Sequence, residues 1–200
     1  MISLSRRPRL APVIGLALLG ATACHGIARH DAAAPSPATS AASSGAPRVS
    51  DEHVAGVALM LNNIEVSYAL LAGSRAADAD VARYAARMRT DHTSLNATLT
   101  DLLARWNLDA EDDRVGLDLR DAANVERDRL RRLTGRAFDV AYVDADVASH
   151  RELLDVIDRV LLPSAGRREL HDYVAALRPA IAAHLAHAQQ LRATLAARRQ

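Results

Sequence analysis

From residue 50 onward, apolar residues recur along the chain in alternating steps of three and four, the spacing that lines one face of an α-helix. One such stripe is Val54, Ala58, Leu61, Glu65, Tyr68, Ala72. A second is Val81, Ala85, Met88, His92, Leu95, Leu99, Leu102. A third is Val140, Val143, Val147, His150, Leu154, Ile157, Leu161, and a fourth is Leu170, Val174, Leu177, Ile181, His184, Ala188, Leu191, Leu195. No stretch alternates in the two-residue period of a half-buried strand. The pattern therefore predicts an all-α domain over residues 50–200.

Local signals set the expected helix limits. Ser50 is a candidate N-cap, with Asp51 and Glu52 placed against the helix dipole. Helix 1 is predicted to stop at Gly73. Asp78 caps helix 2, which runs to about Trp106. Residues 107–134 form a long connection with a shorter helix near 119–133. Helix 3 is expected from about Ala137 to Leu162, halted by Pro163, and helix 4 from about Ser164 onward, kinked or broken at Pro179. Two hairpins joined by a connection of this length point to a ferritin-like four-helix bundle with a long helical crossover between helices 2 and 3. An up-down-up-down bundle uses a short loop at that place.

Each stripe is apolar apart from one ionisable residue: Glu65, His92, His150 and His184. About six histidines fall in the predicted helices, and two positions in seven face a core, so chance alone accounts for nearly two. Glu65 is harder to explain, because a buried carboxylate without a partner is costly. At about 1.5 Å rise per residue, the ferritin-like topology puts all four residues roughly 9 to 21 Å from one end of the bundle. The up-down-up-down alternative spreads them over roughly 12 to 30 Å. Imidazole and carboxylate together suit one transition-metal ion: zinc, copper or iron. A metal-free hydrogen-bonded network is the competing reading. Asp91, Asp139, Asp146 and His187 border the stripes. Asp146 and His187 are candidate supporting or alternate ligands, whereas Asp91 and Asp139 read as solvated flanks.

Upstream of the helices the pattern changes. Residues 1–23 carry Arg6, Arg7 and Arg9, then about 12 apolar residues, too few for the roughly 20 that span a bilayer, and end on small residues. This is the form of a secretory signal peptide. Ala21-Thr22-Ala23 is followed by Cys24, the single cysteine. Either plain cleavage leaves a free thiol, or Cys24 is the lipidated first residue of a lipoprotein; with His25 after it in place of Asp, a lipidated protein is expected at the outer membrane. Residues 24–49 are rich in Ala, Pro and Ser and read as a disordered tether.

Composition narrows the partners. Of 25 Lys+Arg, three lie in the leader, leaving 22 against 24 Asp+Glu. With no basic surplus and six aromatics in all, nucleic-acid binding is not expected. Lipid on Cys24 would make the membrane a partner, and no protein partner is legible.

The stretches "NNIEVSYALLA", "YAARMRTDHTSLNATL", "LTGRAFDVAYVDADVASH" and "LRPAIAAHLAHAQQL" together resemble the domain-of-unknown-function 4142 family of exported bacterial proteins, often labelled predicted outer membrane protein. The resemblance covers residues 50–195 and implies a ferritin-like bundle outside the cytoplasm. It brings no established activity. Glu-x-x-His pairs, which serve di-iron centres in the wider ferritin-like group, are missing, with Arg89 three residues before His92. Covalent haem attachment is excluded by the lack of Cys-x-x-Cys-His. On sequence grounds the first expectation is an exported, lipid-anchored, periplasmic helical protein with a non-enzymatic interaction or structural role. The alternative is a metal-binding protein with a Glu/His site at the bundle centre. An enzyme ranks last, since no nucleophile–base pair is recognisable.

Overall fold

The computed structural model describes residues 49–198. The signal peptide, Cys24 and nearly all of the tether lie outside the described residues. Within them the chain is helical: α1 (Asp51–Arg75), α2 (Ala79–Trp106), α3 (Arg114–Leu130), α4 (Gly135–Val156), α5 (Leu162–Ser164) and α6 (Arg168–Ala197), with a π-helical segment at Ile157–Leu161 between α4 and α5. The four long helices α1, α2, α4 and α6 form the expected ferritin-like bundle.

Contacts at the two ends fix the topology. The Asp51 carboxylate, at the start of α1, accepts the backbone N–H groups of Gly166 at 2.7 Å and Arg167 at 3.1 Å. The α5–α6 turn therefore sits beside the start of α1. Near it, the Arg167 guanidinium lies 5.3 Å over the Trp106 ring at the end of α2. At the opposite end, Asp139, just past the first turn of α4, accepts from Ala77 N (3.0 Å) and Asp78 N (2.9 Å) in the α1–α2 turn. There Arg198 also reaches Asp78 and Asp80, at 2.5 and 2.6 Å. The hairpin turns thus lie at opposite ends, and α3 carries the chain back along α1 between them.

Capping explains most boundaries, and each departure has a local cause. Ser50 and Asp78 cap α1 and α2 as expected, accepting from His53 N and Asp80 N. Gly73 does not end α1, which continues to Arg75; an exposed glycine fits a helix sterically, and Asp139 receives the turn's N–H groups instead. The crossover helix starts at Arg114, earlier than expected, because Asp113 accepts from Val115 N at 2.7 Å. Pro163 does not halt the helix at Leu162. Its missing N–H is accommodated just upstream by π geometry, in which Leu162 N–H donates to Ile157 O. The last long helix begins at Arg168 and runs unbroken through Pro179. Ala175, whose carbonyl Pro179 leaves without a helical donor, lies on the exposed side of α6.

Helix α1 is long and apolar enough to cross a membrane by composition alone. Its surroundings account for that character. It packs against α2, α3 and α4, so a broad face of it is buried, from Val54 and Ala55 to Ala69 and Ala72.

The apolar core is divided. One cluster at the α5–α6 end includes Leu61, Leu99, Leu153, Leu177 and Ile181. The other, at the α1–α2 turn end, includes Tyr68, Met88, Phe138, Val147 and Ala188. Between them the seams carry Asn62, Glu65, His92, Asp146, His150 and His184, all buried. A polar layer thus cuts the core at the level where the sequence stripes are interrupted.

Candidate metal centre

Three helices contribute one imidazole each to this layer: α2 supplies His92, α4 His150 and α6 His184. Their exposures are 0, 0 and 3%. The ring centroids are 5.7 Å apart for His92–His150, 5.2 Å for His92–His184 and 5.6 Å for His150–His184. Each occupies the seam of its helix one turn from an apolar neighbour (Met88, Val147, Ala188), so helix periodicity itself turns the rings inward.

One nitrogen of each ring has a partner on its outer side. His92 Nδ1 meets Asn62 Oδ1 at 3.0 Å, His150 Nδ1 meets the Asp146 carbonyl at 3.0 Å, and His184 Nε2 meets Asp91 Oδ2 at 2.9 Å. All three partners are acceptors, so each outer nitrogen is assigned the proton and each inner nitrogen a lone pair. The inner atoms, His92 Nε2, His150 Nε2 and His184 Nδ1, are buried without a hydrogen-bond partner. The three histidines offer ligand atoms that all lie within 4.8 Å of one another. Metal–imidazole bonds of about 2.0 Å require nitrogens about 3.3 Å apart in tetrahedral geometry, a closure of less than about 1 Å per ring.

Outer partners are themselves held. Asn62 Nδ2 donates to the Tyr173 hydroxyl at 3.4 Å, and that hydroxyl donates to Leu95 O at 3.1 Å. Asp91, at the bundle surface, also pairs with Arg87 at 3.2 Å. Asp146 Oδ2 lies 3.2 Å from His150 Nδ1 and accepts from the Tyr84 hydroxyl at 2.5 Å. Such an arrangement of carboxylate, carbonyl and amide around the outer nitrogens orients rings and raises their basicity toward an ion.

Electrostatics follow from burial and crowding. Burial, with His150 and His184 alongside, pushes His92 down to about 2. Burial likewise lowers His184, against the opposing pull of Asp91. Burial also opposes charge on His150, but Glu65 and Asp146 outweigh it and raise that ring. Glu65 itself is raised, mainly by burial and further by Asp146, against the pull of His150 and a hydrogen bond from Ser149. The carboxylate side of the layer draws protons, while the inner imidazoles His92 and His184 resist them. A cation can take the place of those protons.

The structure thus brings His92, His150 and His184 to one point. Glu65 does not join that trio. It stands on the other side of the His150 ring, its Oε2 3.9 Å from Nδ1 and its Oε1 accepting from the Ser149 hydroxyl. Asp146 is buried beside it, as an alternate ligand or support. His187 faces away, edge-on to Tyr84 at 4.9 Å. Two expectations are corrected: Asp139 is 2% exposed and binds the α1–α2 turn, and Asp91 is half-buried and accepts a hydrogen bond from His184 Nε2. Sequence reasoning missed Asn62, although it precedes Glu65 by three residues on the same face of α1. It also missed Tyr84, whose partner lies 62 residues away.

Fold and layer together define a class: a ferritin-like helical bundle with a buried trio of histidines across three of its helices. Residues 36–191 match the family described as Domain of unknown function (DUF4142), and the chain belongs to it. Its fold is similar to the crystal structure described as a secreted DUF305 protein from Streptomyces coelicolor, with a TM-score of 0.60 at 12% identity, covering 72% of this chain and 92% of that one. No curated protein matches the chain.

Proposed function

We propose that this protein is an exported metal-binding protein that holds a transition-metal ion on His92 Nε2, His150 Nε2 and His184 Nδ1. The observation that carries the reading is the set of three inner nitrogens, each buried without a partner while the opposite nitrogen is engaged. As a mere core, this layer costs desolvation and interrupts apolar packing with no return. An ion converts the same atoms into ligands. Three imidazoles suit zinc, copper or iron, and the donor set does not resemble an all-oxygen calcium or magnesium site. A metal-free interaction module, the first expectation from sequence, leaves the convergence unexplained.

Export is supported by the leader pattern of residues 1–23 and agrees with the description of the Streptomyces coelicolor neighbour as secreted. Lipid on Cys24 would hold the domain at the outer membrane through the tether. The test of the metal reading is elemental analysis of the whole chain, expressed with its own leader and no affinity tag, beside a His92→Ala/His184→Ala variant. At least one equivalent of metal per chain, reduced by one in the variant, is the expected result. No metal after incubation with zinc, copper and iron overturns the proposal and leaves the interaction module standing.

A further inference from the structure

His150 is shared between two clusters. Its Nε2 faces His92 and His184, while Glu65 and Asp146 crowd its Nδ1 side, at 3.9 and 3.2 Å. Glu65, Asp146 and His150 offer ligand atoms within 4.8 Å of one another, and their exposures are 1, 1 and 0%. Hydrogen bonding does not exhaust these groups. Ser149 serves one Glu65 oxygen and Tyr84 one Asp146 oxygen. Glu65 Oε2 and Asp146 Oδ1 are left without partners. So is the hydroxyl of Tyr142, 1% exposed, which precedes Asp146 by one turn on α4 and lies in the field of both carboxylates.

From this geometry we infer a second divalent-cation subsite, formed by Glu65, Asp146 and His150 Nδ1 and joined to the histidine trio through the His150 ring. The inference rests on the trio as a metal site. Separations of 3.2 and 3.9 Å between His150 Nδ1 and the carboxylate oxygens are close to those between ligands sharing one ion at bonds of about 2.0–2.2 Å. Charge supports a second ion as well. Glu65 and Asp146 set two buried carboxylates beside one imidazole, with no Arg or Lys among the described residues paired to either, whereas the Asp91 carboxylate at His184 is already paired with Arg87. When the second ion binds, the Nδ1 proton that His150 gives to the Asp146 carbonyl leaves to solvent, and the ring bridges as an imidazolate. The second ion then faces three anionic groups: Glu65, Asp146 and the imidazolate. The mixed oxygen and nitrogen donors select a borderline divalent ion such as zinc.

Zinc titration of the metal-stripped whole chain, followed by dialysis and elemental analysis, tests this. Two equivalents are expected for the wild type and one for Glu65→Gln, with the helical circular-dichroism signal unchanged. One equivalent in the wild type, lost in His92→Ala/His184→Ala, overturns the second subsite and leaves the first intact. Two equivalents in both the wild type and Glu65→Gln overturn its placement. No zinc in the wild type overturns both sites together.

Discussion

Asp139, just past the first turn of α4, accepts the backbone N–H of Asp78 at 2.9 Å, with Ala77 N–H on its other oxygen at 3.0 Å. A carboxylate from the second hairpin thereby closes the turn of the first. Asp51 does the same in reverse for Gly166 and Arg167. The two hairpins are clasped at both ends, which holds the seams of α2, α4 and α6 in the register that lets their histidines meet.

Asp139→Ala is expected to destabilise the protein by about 3 kcal/mol, because two charge-assisted hydrogen bonds are lost from a buried place. Asp51→Ala is expected to cost about 1 kcal/mol, its side chain being 15% exposed and water able to replace it. Urea denaturation of the metal-free proteins compares the two. Equal losses would show that burial is not what separates these clasps.

Two glycines of α1 are expected to respond with opposite sign. A Cβ at Gly56 would lie 1.8 Å from the carbonyl oxygen of Glu111, in the loop that reaches back to Glu52. Gly56→Ala must displace that backbone, at about 2–3 kcal/mol. Gly73 has nothing within 4 Å, so Gly73→Ala should stabilise by about 0.5–1 kcal/mol through helix propensity alone. Thermal melts of both variants check the pair.

Removing outer partners should weaken metal binding while leaving its site in place. Asn62→Ala frees the His92 ring, and Asp91→Asn deprives His184 of an anionic acceptor. Each is expected to lower affinity about 10–100-fold. Competition with a chromophoric chelator gives the affinities. Unchanged values in both variants would mean that the rings are held by packing alone.

The metal-free protein should lose stability as pH falls below about 6.5 through His92. Its folded pKa, depressed to about 2, lies below the unfolded value of 6.5, so the unfolded chain takes up a proton that the folded one refuses. By pH 4.5 this amounts to about 2–3 kcal/mol. His184, also depressed, adds in the same direction. Glu65 acts oppositely: its raised pKa favours the fold as pH falls toward 4.5. A His92→Gln variant should therefore show a visibly flatter urea midpoint between pH 7 and 5 than the wild type. An identical slope would show that His92 is not the group responsible.

Much of this was legible along the chain because it depends on near neighbours. Stripes at three- and four-residue spacing marked α1, α2, α4 and α6, and Ser50 and Asp78 announced their starts by hydrogen bonds two or three residues long. The one ionisable residue in each stripe was visible for the same reason. Even the topology could be argued from the length of the crossover. Glu65, His92, His150 and His184 were therefore nameable as the polar members of the seams without any coordinates.

What the linear order could not decide is how those groups face one another. Helix periodicity places a residue on a seam, but which ring nitrogen turns inward depends on an acceptor elsewhere: Asn62 for His92, 30 residues away, and Asp91 for His184, 93 residues away. Tertiary packing likewise moved Glu65 to the far side of His150, and turned Asp139 from an expected flank into a buried clasp. Sequence alone determined four helical seams with one ionisable interruption each, because that is periodicity. The union of three interruptions into a layer with partnerless nitrogens was decided by the rotation and axial offset of the helices, which only long-range hydrogen bonds and core packing set.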